Sequence, residues 1–327
     1  MMVGMKGVLG TAAFVCLATA AFGCGEGSER YGTTPVGDDG TAGLGAEIDV
    51  LVIGGGPSGM AAAIEAAERG AHVVLLEKQA TLCNGGACDV AKMLFSGSPE
   101  QAALGVEDSP ALLLDEWSAL TGGDPGSPWV RAYAERNVPD VRDWLTDLGA
   151  VVSIPVVEED PGGSSTHRDH LVAALGPTLE DRLEELIAPE DILLSHEVTG
   201  LVLDDDGLVL GAAYTDHHTG TTGWLEARTT IVATGGFLRN LDKVRTYRPD
   251  LEGVGLWFDC MPGADGSGHT MLEEVAAVIA NPSAQALHVT GLPDPLHPGE
   301  LTDGGAMREA IWVNGAGARF TDETSLD

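Results

Sequence analysis

The chain has few basic and few aromatic residues. Of its 327 residues, 17 are Lys or Arg and 50 are Asp or Glu, which gives a formal net charge of −33. This charge opposes binding to nucleic acid or to an anionic membrane surface. An aromatic content of 5% also leaves few rings on which bases could stack. We therefore expect no nucleic-acid partner.

Long hydrophobic runs are lacking after the first 24 residues. At the N-terminus, Lys6 precedes an apolar stretch, 8–22, that is too short for a membrane span and is typical of a secretory signal. Cys24 follows small residues, as in bacterial lipoprotein signals, although Ala21 stands where those signals usually have Leu. We predict a signal over 1–24, lipidation of Cys24, and export to the cell envelope or periplasm, with membrane contact only through this anchor. The alternative is a plain cleaved signal in which Cys24 is incidental.

Residues 25–46 are rich in Gly, Ser, Thr and Asp without apolar periodicity, which predicts a flexible linker. Cysteines are few, and Cys83, Cys88 and Cys260 are those of the expected mature body. Cys83 and Cys88 could pair in an oxidising compartment, or could be two unpaired small residues. Gly85 and Gly86 between them suggest a cofactor loop. We expect no metal site.

The stretch DVLVIGGGPSGMAAAIEAAERGAHVVLLEK, residues 49–78, is the most informative in the chain. It predicts a strand, a glycine turn, a helix and a second strand that ends at Glu77. Gly54 allows the tight turn, Gly56 lets the backbone approach a pyrophosphate, and Gly59 lets the helix pack close to the sheet. The helix N-terminus favours phosphates, and the Glu77 carboxylate is placed to accept hydrogen bonds from ribose hydroxyls. The pattern predicts a dinucleotide site without separating FAD from NAD.

Further elements follow along the body. Periodicity predicts helices over 109–120, 129–148 with an interruption at Pro139, and 179–187. Short β-rich runs predict strands over 192–195, 199–203, 208–214, 224–227 and 231–233. The Asp-Asp-Asp-Gly sequence at 204–207 predicts a hairpin turn.

Several motifs in order resemble the flavoprotein subunit family of fumarate reductases and succinate dehydrogenases, which includes ketosteroid dehydrogenases, urocanate reductases and L-aspartate oxidases. The motifs are DVLVIGGGPSG with Glu77-Lys78, DSP at 108–110, DWLTDLGA at 143–150, Thr-His-Arg at 166–168, IVATGGFLRN at 231–240, GADGSGHTM at 263–271 and WVNGAGARFTDE at 312–323. The resemblance implies an α/β fold: a Rossmann-like FAD/NAD(P)-binding domain over 47–282 with a β-rich insertion, and the start of an α+β capping domain over 283–327.

The resemblance also implies FAD as the cofactor. Val198 would meet the adenine through its backbone, and the Ala-Thr-Gly-Gly run after a strand would approach the cofactor without side-chain obstruction. The full set of expected cofactor-binding residues is Gly54, Gly56, Ser58, Gly59, Glu77, Lys78, Gly85, Gly86, Val198, Ala233, Thr234, Gly235 and Gly236.

Catalysis in the resembled family exchanges a hydride between flavin N5 and a carbon next to an activated C=C bond. By position, His288 and Arg308 would bind a small-molecule substrate, with an envelope protein as a further electron donor or acceptor. A structural histidine and a surface arginine are the alternatives. Ala91 and Lys92 stand where the family has glycines, Ser267 replaces a turn aspartate, and Asp327 falls where fumarate reductases keep a proton-donating arginine.

Two other functions remain open on the sequence. Because family members continue past the position of Asp327, the chain is expected to be a fragment or a degenerate flavin-fold lipoprotein without turnover. The run Gly85-Gly86-Ala87-Cys88 also resembles the start of the redox motif of flavin disulfide reductases. The partner cysteine expected five residues later is replaced by Met93, and Cys83 lies on the other side.

Overall fold

The computed structural model describes residues 47–83, 88, 90–121, 128–155, 166–252 and 263–283, and the backbone of 16–17. The predicted lipidation site Cys24, the linker over 25–46 and nearly all of the predicted capping segment lie outside these ranges. So do Gly85, Gly86, His288 and Arg308.

Ten strands and eight α-helices are described. The strands are β1 (Cys16–Leu17), β2 (Ile48–Ile53), β3 (Val73–Glu77), β4 (Val90–Leu94), β5 (Val151–Ser153), β6 (Asp169–Ala173), β7 (Ile192–Leu194), β8 (His196–Leu203), β9 (Val209–Asp216) and β10 (Thr222–Val232). The helices are α1 (Pro57–Glu68), α2 (Pro99–Ala103), α3 (Pro110–Thr121), α4 (Pro128–Arg136), α5 (Asp143–Asp147), α6 (Leu175–Leu186), α7 (Leu241–Tyr247) and α8 (Ser267–Glu274).

The main sheet has the order β7-β3-β2-β10-β9-β8. Strands β7, β3, β2 and β10 run parallel. The C-terminal half of β2 and most of β3 are buried runs of Val, Leu and Ile, as expected for strands covered on both faces. Helix α1 begins at Pro57, where proline suits the first helical position. Its Met60, Ala63 and Ile64 enter the core against this sheet. The predicted α/β class and the β-α-β unit are confirmed.

The β-rich insertion is the antiparallel meander β8-β9-β10. Its first turn is the predicted one, in which Asp204 Oδ1 accepts from the N–H groups of Asp206 and Leu208. Residues 222–226 of β10 pair with β9, and 227–232 pair with β2. The sequence predicted two separate strands here, 224–227 and 231–233, which is wrong. The polar residues between them stay extended because β2 pairs with them.

A second sheet, β4-β6-β5, is antiparallel and was not predicted. The predicted helix 129–148 consists of α4, a π-helical turn over Asn137–Arg142 and α5. Pro139 therefore lies in a wide turn of a continuing helix and does not separate two elements.

A buried ion pair explains two of the motifs. Arg168 donates two hydrogen bonds to Asp108, from Nε to Oδ2 (2.8 Å) and from Nη2 to Oδ1 (2.7 Å), and a third to Glu116. The Asp108 side chain is fully buried and that of Arg168 is 5% exposed. The ion pair between the Asp-Ser-Pro and Thr-His-Arg motifs thus connects the start of α3 to the start of β6. The charged residues of these motifs, Asp108 and Arg168, therefore have a structural role.

Strand β1 pairs antiparallel with the end of β10, at Val232 and Ile231. It lies within the predicted signal segment. In the ranges that the structure describes, no helix has the length and apolarity to cross a membrane.

Candidate cofactor site

The carboxyl ends of β2, β3 and β10 meet at one edge of the sheet. The Gly54 N–H donates to Leu76 O (2.8 Å), and the Ala233 N–H donates to Ile53 O (2.8 Å). The glycine turn after β2 therefore lies between the ends of its two neighbouring strands. In open parallel sheets this edge is where ligands bind.

The three motif glycines have different environments. Gly54 has φ +108°, and a Cβ there would lie 2.4 Å from Ala233 O. A Cβ at Gly59 would lie 1.8 Å from Gly54 O, so α1 crosses the turn too closely for any side chain. A Cβ at Gly56 would have no heavy atom within 4 Å. The first and third glycines are thus required by packing, whereas Gly56 faces open space next to the turn.

The N-terminus of α1 begins at this open space. Gly56 is its N-cap residue, in an extended conformation, and no side chain caps the helix. The early N–H groups of a helix have no intrahelical acceptor, and the helix dipole places positive potential there. An uncapped helix start beside an open glycine fits the pyrophosphate of a dinucleotide. Ser58 lies in this first turn.

Glu77 at the end of β3 is fixed by the backbone. Its Oε2 accepts from the Gly55 N–H (2.6 Å), and its Oε1 accepts from the Gln79 N–H (2.7 Å). A carboxylate has about four acceptor positions, so both oxygens keep capacity for ribose hydroxyls. The side chain is half-buried and already oriented at the sheet edge.

Lys78 contacts the protein itself. Its Nζ donates to Asp265 Oδ2 (2.7 Å) and to Gly263 O (3.2 Å). Asp265 Oδ1 also accepts from the Ser267 N–H at the start of α8 (3.0 Å). Burial raises the pKa of Asp265, but the hydrogen bonds from Lys78 and Ser267 outweigh it and lower that pKa below its usual value. Lys78 therefore holds the turn before α8 against β3, a role that the sequence did not predict.

The Ala-Thr-Gly-Gly run after β10 lies against both the glycine turn and α8. Ala233 contacts Gly54, and Gly235 has φ +77°. A Cβ at Gly268 would lie 1.7 Å from Thr234 Oγ1, so α8 approaches the run as closely as α1 approaches the turn. Gly236 O accepts from the Gly266 N–H (3.2 Å). The predicted residues 233–236 are thus brought to the same edge as Gly54.

Val198 lies on β8, where the pairing with β9 has an irregularity. Its side chain is buried, and it lines a cavity of about 330 Å³ between β8 and α8. The lining residues are Glu197, Val198, Thr199, Ser267, Thr270, Met271 and Glu274. Val198, which is predicted to contact the adenine, therefore lies beside this cavity. The cavity adjoins the start of α8, and Lys78 holds the turn before that helix.

A disulfide joins Cys83 and Cys88, with their Cα atoms 5.8 Å apart. The sequence left this pairing open and looked for the redox partner of Cys88 at Met93. Cys83 also contacts the glycine turn, because its N–H donates to Gly55 O (2.9 Å). The central glycine of the turn, Gly55, was missed, although the run of three consecutive glycines was a signal for it.

Within the described part of the chain, no group of three His, Cys, Asp or Glu residues is placed to hold a metal ion. The fold and this edge define a dinucleotide-binding protein. A family model described as "FAD binding domain" matches residues 49–327, and the chain belongs to that family. FAD is its cofactor, and the open glycine, the uncapped helix start and the oriented carboxylate fit it.

Curated relatives give the same assignment. The chain is 28% identical over 290 residues to "Fumarate reductase (cytochrome)" of Shewanella frigidimarina, covering 84% of this chain and 48% of the relative. It is 31% identical over 295 residues to "Urocanate reductase" of Eggerthella lenta, covering 86% of this chain and 46% of the relative. The chain thus spans about half the length of the curated relatives it matches.

Solved structures share the fold. The open conformation of a flavocytochrome c3 fumarate reductase superposes with a TM-score of 0.58 at 28% identity, over 72% of this chain and 41% of that one. A 3-ketosteroid-Δ4-(5α)-dehydrogenase from Rhodococcus jostii RHA1 superposes with a TM-score of 0.68 at 24% identity, over 89% and 64%. The second likeness concerns the fold alone.

Proposed function

We propose that the protein is an FAD-dependent oxidoreductase that moves a hydride between flavin N5 and a CH–CH or C=C bond of a small acceptor. The observation that carries the proposal is the preformed sheet edge. There the turn at 54–59, Glu77 and the 233–236 run converge from three neighbouring strands. FAD, when bound, supplies the hydride chemistry.

The chain's own residues would do the binding. The α1 start and Gly56 would hold the pyrophosphate, Glu77 the adenosine ribose, and the Val198 backbone the adenine. Lys78 would act indirectly by keeping the Asp265 turn in place. Because these groups are already held by backbone hydrogen bonds, little of the site must be ordered when the cofactor binds.

The names of relatives support the proposed substrate class. Their names include fumarate reductase, urocanate reductase and a KsdD-like steroid dehydrogenase, and all three fit redox chemistry at a carbon–carbon bond. We propose His288 and Arg308 as the residues that bind the acceptor carboxylate or carbonyl. Gly85 and Gly86 would approach the flavin from the loop after β3.

We further propose that the protein is exported and anchored through Cys24. The apolar N-terminus and the cysteine that follows it support this location. The Cys83–Cys88 disulfide also supports it, because such bonds persist in oxidising compartments. An envelope electron-transfer protein would be the partner.

The first experiment is cofactor binding. The purified full chain should take up FAD stoichiometrically and show a flavin absorbance spectrum, and Glu77→Gln should weaken uptake. A folded, colourless chain that does not bind added FAD would refute the proposal.

The second experiment is turnover. With a reduced low-potential dye as electron donor, the FAD-loaded chain should reduce fumarate, urocanate or a steroid enone, and His288→Ala and Arg308→Ala should impair whichever reaction is found. A chain that binds FAD tightly but transfers electrons to none of these acceptors would favour the alternative, a flavin-fold lipoprotein without turnover.

A further inference from the structure

The disulfide lies at the cofactor turn. Cys83 follows β3 by six positions, and its N–H donates to Gly55 O (2.9 Å). Leu82 packs against the same glycine, since a Cβ at Gly55 would lie 2.5 Å from Leu82 Cδ2. Gly55 also donates its own N–H to Glu77. The disulfide-bonded residue Cys83 therefore hydrogen-bonds to Gly55. Gly55 in turn orients the Glu77 carboxylate that is proposed to bind the ribose.

The two sulfurs have unequal surroundings. Cys88 is 4% exposed, whereas Cys83 is partly exposed and has φ +49°, a conformation that residues other than glycine seldom adopt. Both lie against the first turn of α6. A Cβ at Gly176 would lie 3.0 Å from Cys88 Cβ and 3.3 Å from Cys83 Sγ.

The start of α6 favours thiolates at this place. Helix α6 is twelve residues long, and no side chain caps its N-terminus. A helix N-terminus stabilises a nearby negative charge and lowers the pKa of a cysteine thiol. Cys83 is partly exposed and Cys88 is buried, and both lie next to this terminus. This combination is typical of a reducible disulfide.

We propose that Cys83–Cys88 is a thiol–disulfide exchange site for an external dithiol, and that its redox state sets the affinity of the turn for FAD. A donor thiolate attacks Cys83 Sγ, the Cys83–Cys88 bond breaks, and its electron pair leaves on Cys88 Sγ, which takes a proton. The second donor thiol then attacks the mixed disulfide and releases Cys83. The donor ends as a disulfide, and the protein has gained two electrons and two protons.

The coupling to FAD rests on the proposed cofactor site. Breaking the bond frees Cys83 to leave its unfavourable backbone conformation. It then loses its hydrogen bond to Gly55, and the turn loses one of its restraints. We expect the reduced chain to bind FAD about fivefold or more weakly, within the usual range of coupling between two sites.

The test uses the full chain in a Cys16→Ser/Cys24→Ser/Cys260→Ser background, so that the pair can be followed separately. The folded protein is equilibrated at graded ratios of reduced to oxidised dithiothreitol and alkylated, and labelling of Cys83 and Cys88 is quantified by mass spectrometry. FAD affinity is measured by flavin fluorescence at the two ends of the series, with circular dichroism to confirm the fold. The control is the double variant Cys83→Ser/Cys88→Ser. Its FAD affinity should equal that of the reduced chain and should not change with the dithiothreitol ratio.

We expect the two cysteines to become labelled together in the folded chain, with the loss of FAD affinity following the same curve. A pair that resists alkylation until urea unfolds the chain would overturn the exchange site. Reduction that leaves the FAD dissociation constant unchanged would overturn the coupling. If the oxidised chain binds no FAD, the cofactor site is refuted, and the alkylation curve still decides the exchange.

Discussion

Adding one methyl group at Gly59 or at Gly56 should separate folding from cofactor binding. In Gly59→Ala the new Cβ would lie 1.8 Å from Gly54 O, a backbone atom that no rotamer change can move. Overpacking of this kind costs about 1–3 kcal/mol, and replacing glycine by alanine inside a helix returns about 1 kcal/mol. Because the clash is between rigid groups, we expect a net loss of about 2 kcal/mol in the free energy of unfolding.

Gly56→Ala should leave folding nearly intact. Gly56 has φ −77°, which alanine adopts freely, and its Cβ would meet no atom within 4 Å. Alanine is a poorer N-cap residue than glycine, and this costs up to about 1 kcal/mol. The methyl group would instead fill the space proposed for the pyrophosphate. We expect FAD affinity to fall by at least about tenfold, which is about 1.4 kcal/mol.

Urea unfolding followed by circular dichroism and FAD titration followed by fluorescence measure the two effects on the same preparations. Gly59→Ala should shift the unfolding midpoint and also weaken FAD binding, whereas Gly56→Ala should weaken FAD binding with a smaller shift of the midpoint. If Gly56→Ala binds FAD as tightly as the parent chain, the pyrophosphate does not lie at the open glycine. If Gly59→Ala has the parent midpoint, the close crossing of α1 does not constrain the turn.

Two further predictions concern buried charge. Asp108→Asn should lower the free energy of unfolding by about 3 kcal/mol in urea titrations, because the buried Arg168 loses the carboxylate that accepts two of its hydrogen bonds. Glu68→Gln, at a solvent-exposed ion pair, is the matched control and should leave the midpoint unchanged. Burial lowers the pKa of His170 below its usual value, so the unfolded chain takes up the proton first. Stability should therefore fall as the pH drops below about 6.5, by at most about 1.4 kcal/mol per pH unit. His170→Gln should show a shallower pH dependence than the parent, and an identical dependence would contradict the assignment.

The β-α-β unit over 49–78 was predictable from the sequence because local features determine its structure. Buried strands of Val, Leu and Ile, an Ala-rich helix and glycines at fixed spacing each favour the same structure. The positions of Gly54 and Gly59 in the structure match those expectations closely. The hairpin at Asp204 was predictable for the same reason, since its side chain satisfies the turn backbone.

The second sheet was not predictable in this way. Strands β4 and β6 have five residues each and β5 has three, and each becomes a strand only through its partners. The glycines expected from family resemblance at 91 and 92 are Ala and Lys, and both are paired with β6. The polar residues 228–230 were not predicted as strand for the same reason, because tertiary pairing of β10 with β2 keeps them extended.

At the site, the sequence identified the residues that approach a ligand but missed those that hold them. Motif spacing showed Glu77 and the 233–236 run. It could not show that Lys78 pairs with Asp265, which is distant in sequence. The Cys83–Cys88 pairing stayed open on the sequence, because spacing gives no information on the distance between the two sulfurs or on the direction of the side chains.

The central glycine of the turn, Gly55, is held from three directions. Its N–H donates to Glu77, its carbonyl accepts from Cys83, and Leu82 packs against its α-carbon. A turn with three restraints is largely preformed, so FAD need not pay for ordering it. Loss of the disulfide weakens only one restraint directly, which is why we expect reduction to decrease FAD affinity by a finite factor. A substitution at Glu77 would affect both its hydrogen bond with Gly55 and its proposed contact with the ribose. It should therefore lower FAD affinity more than breaking the disulfide does.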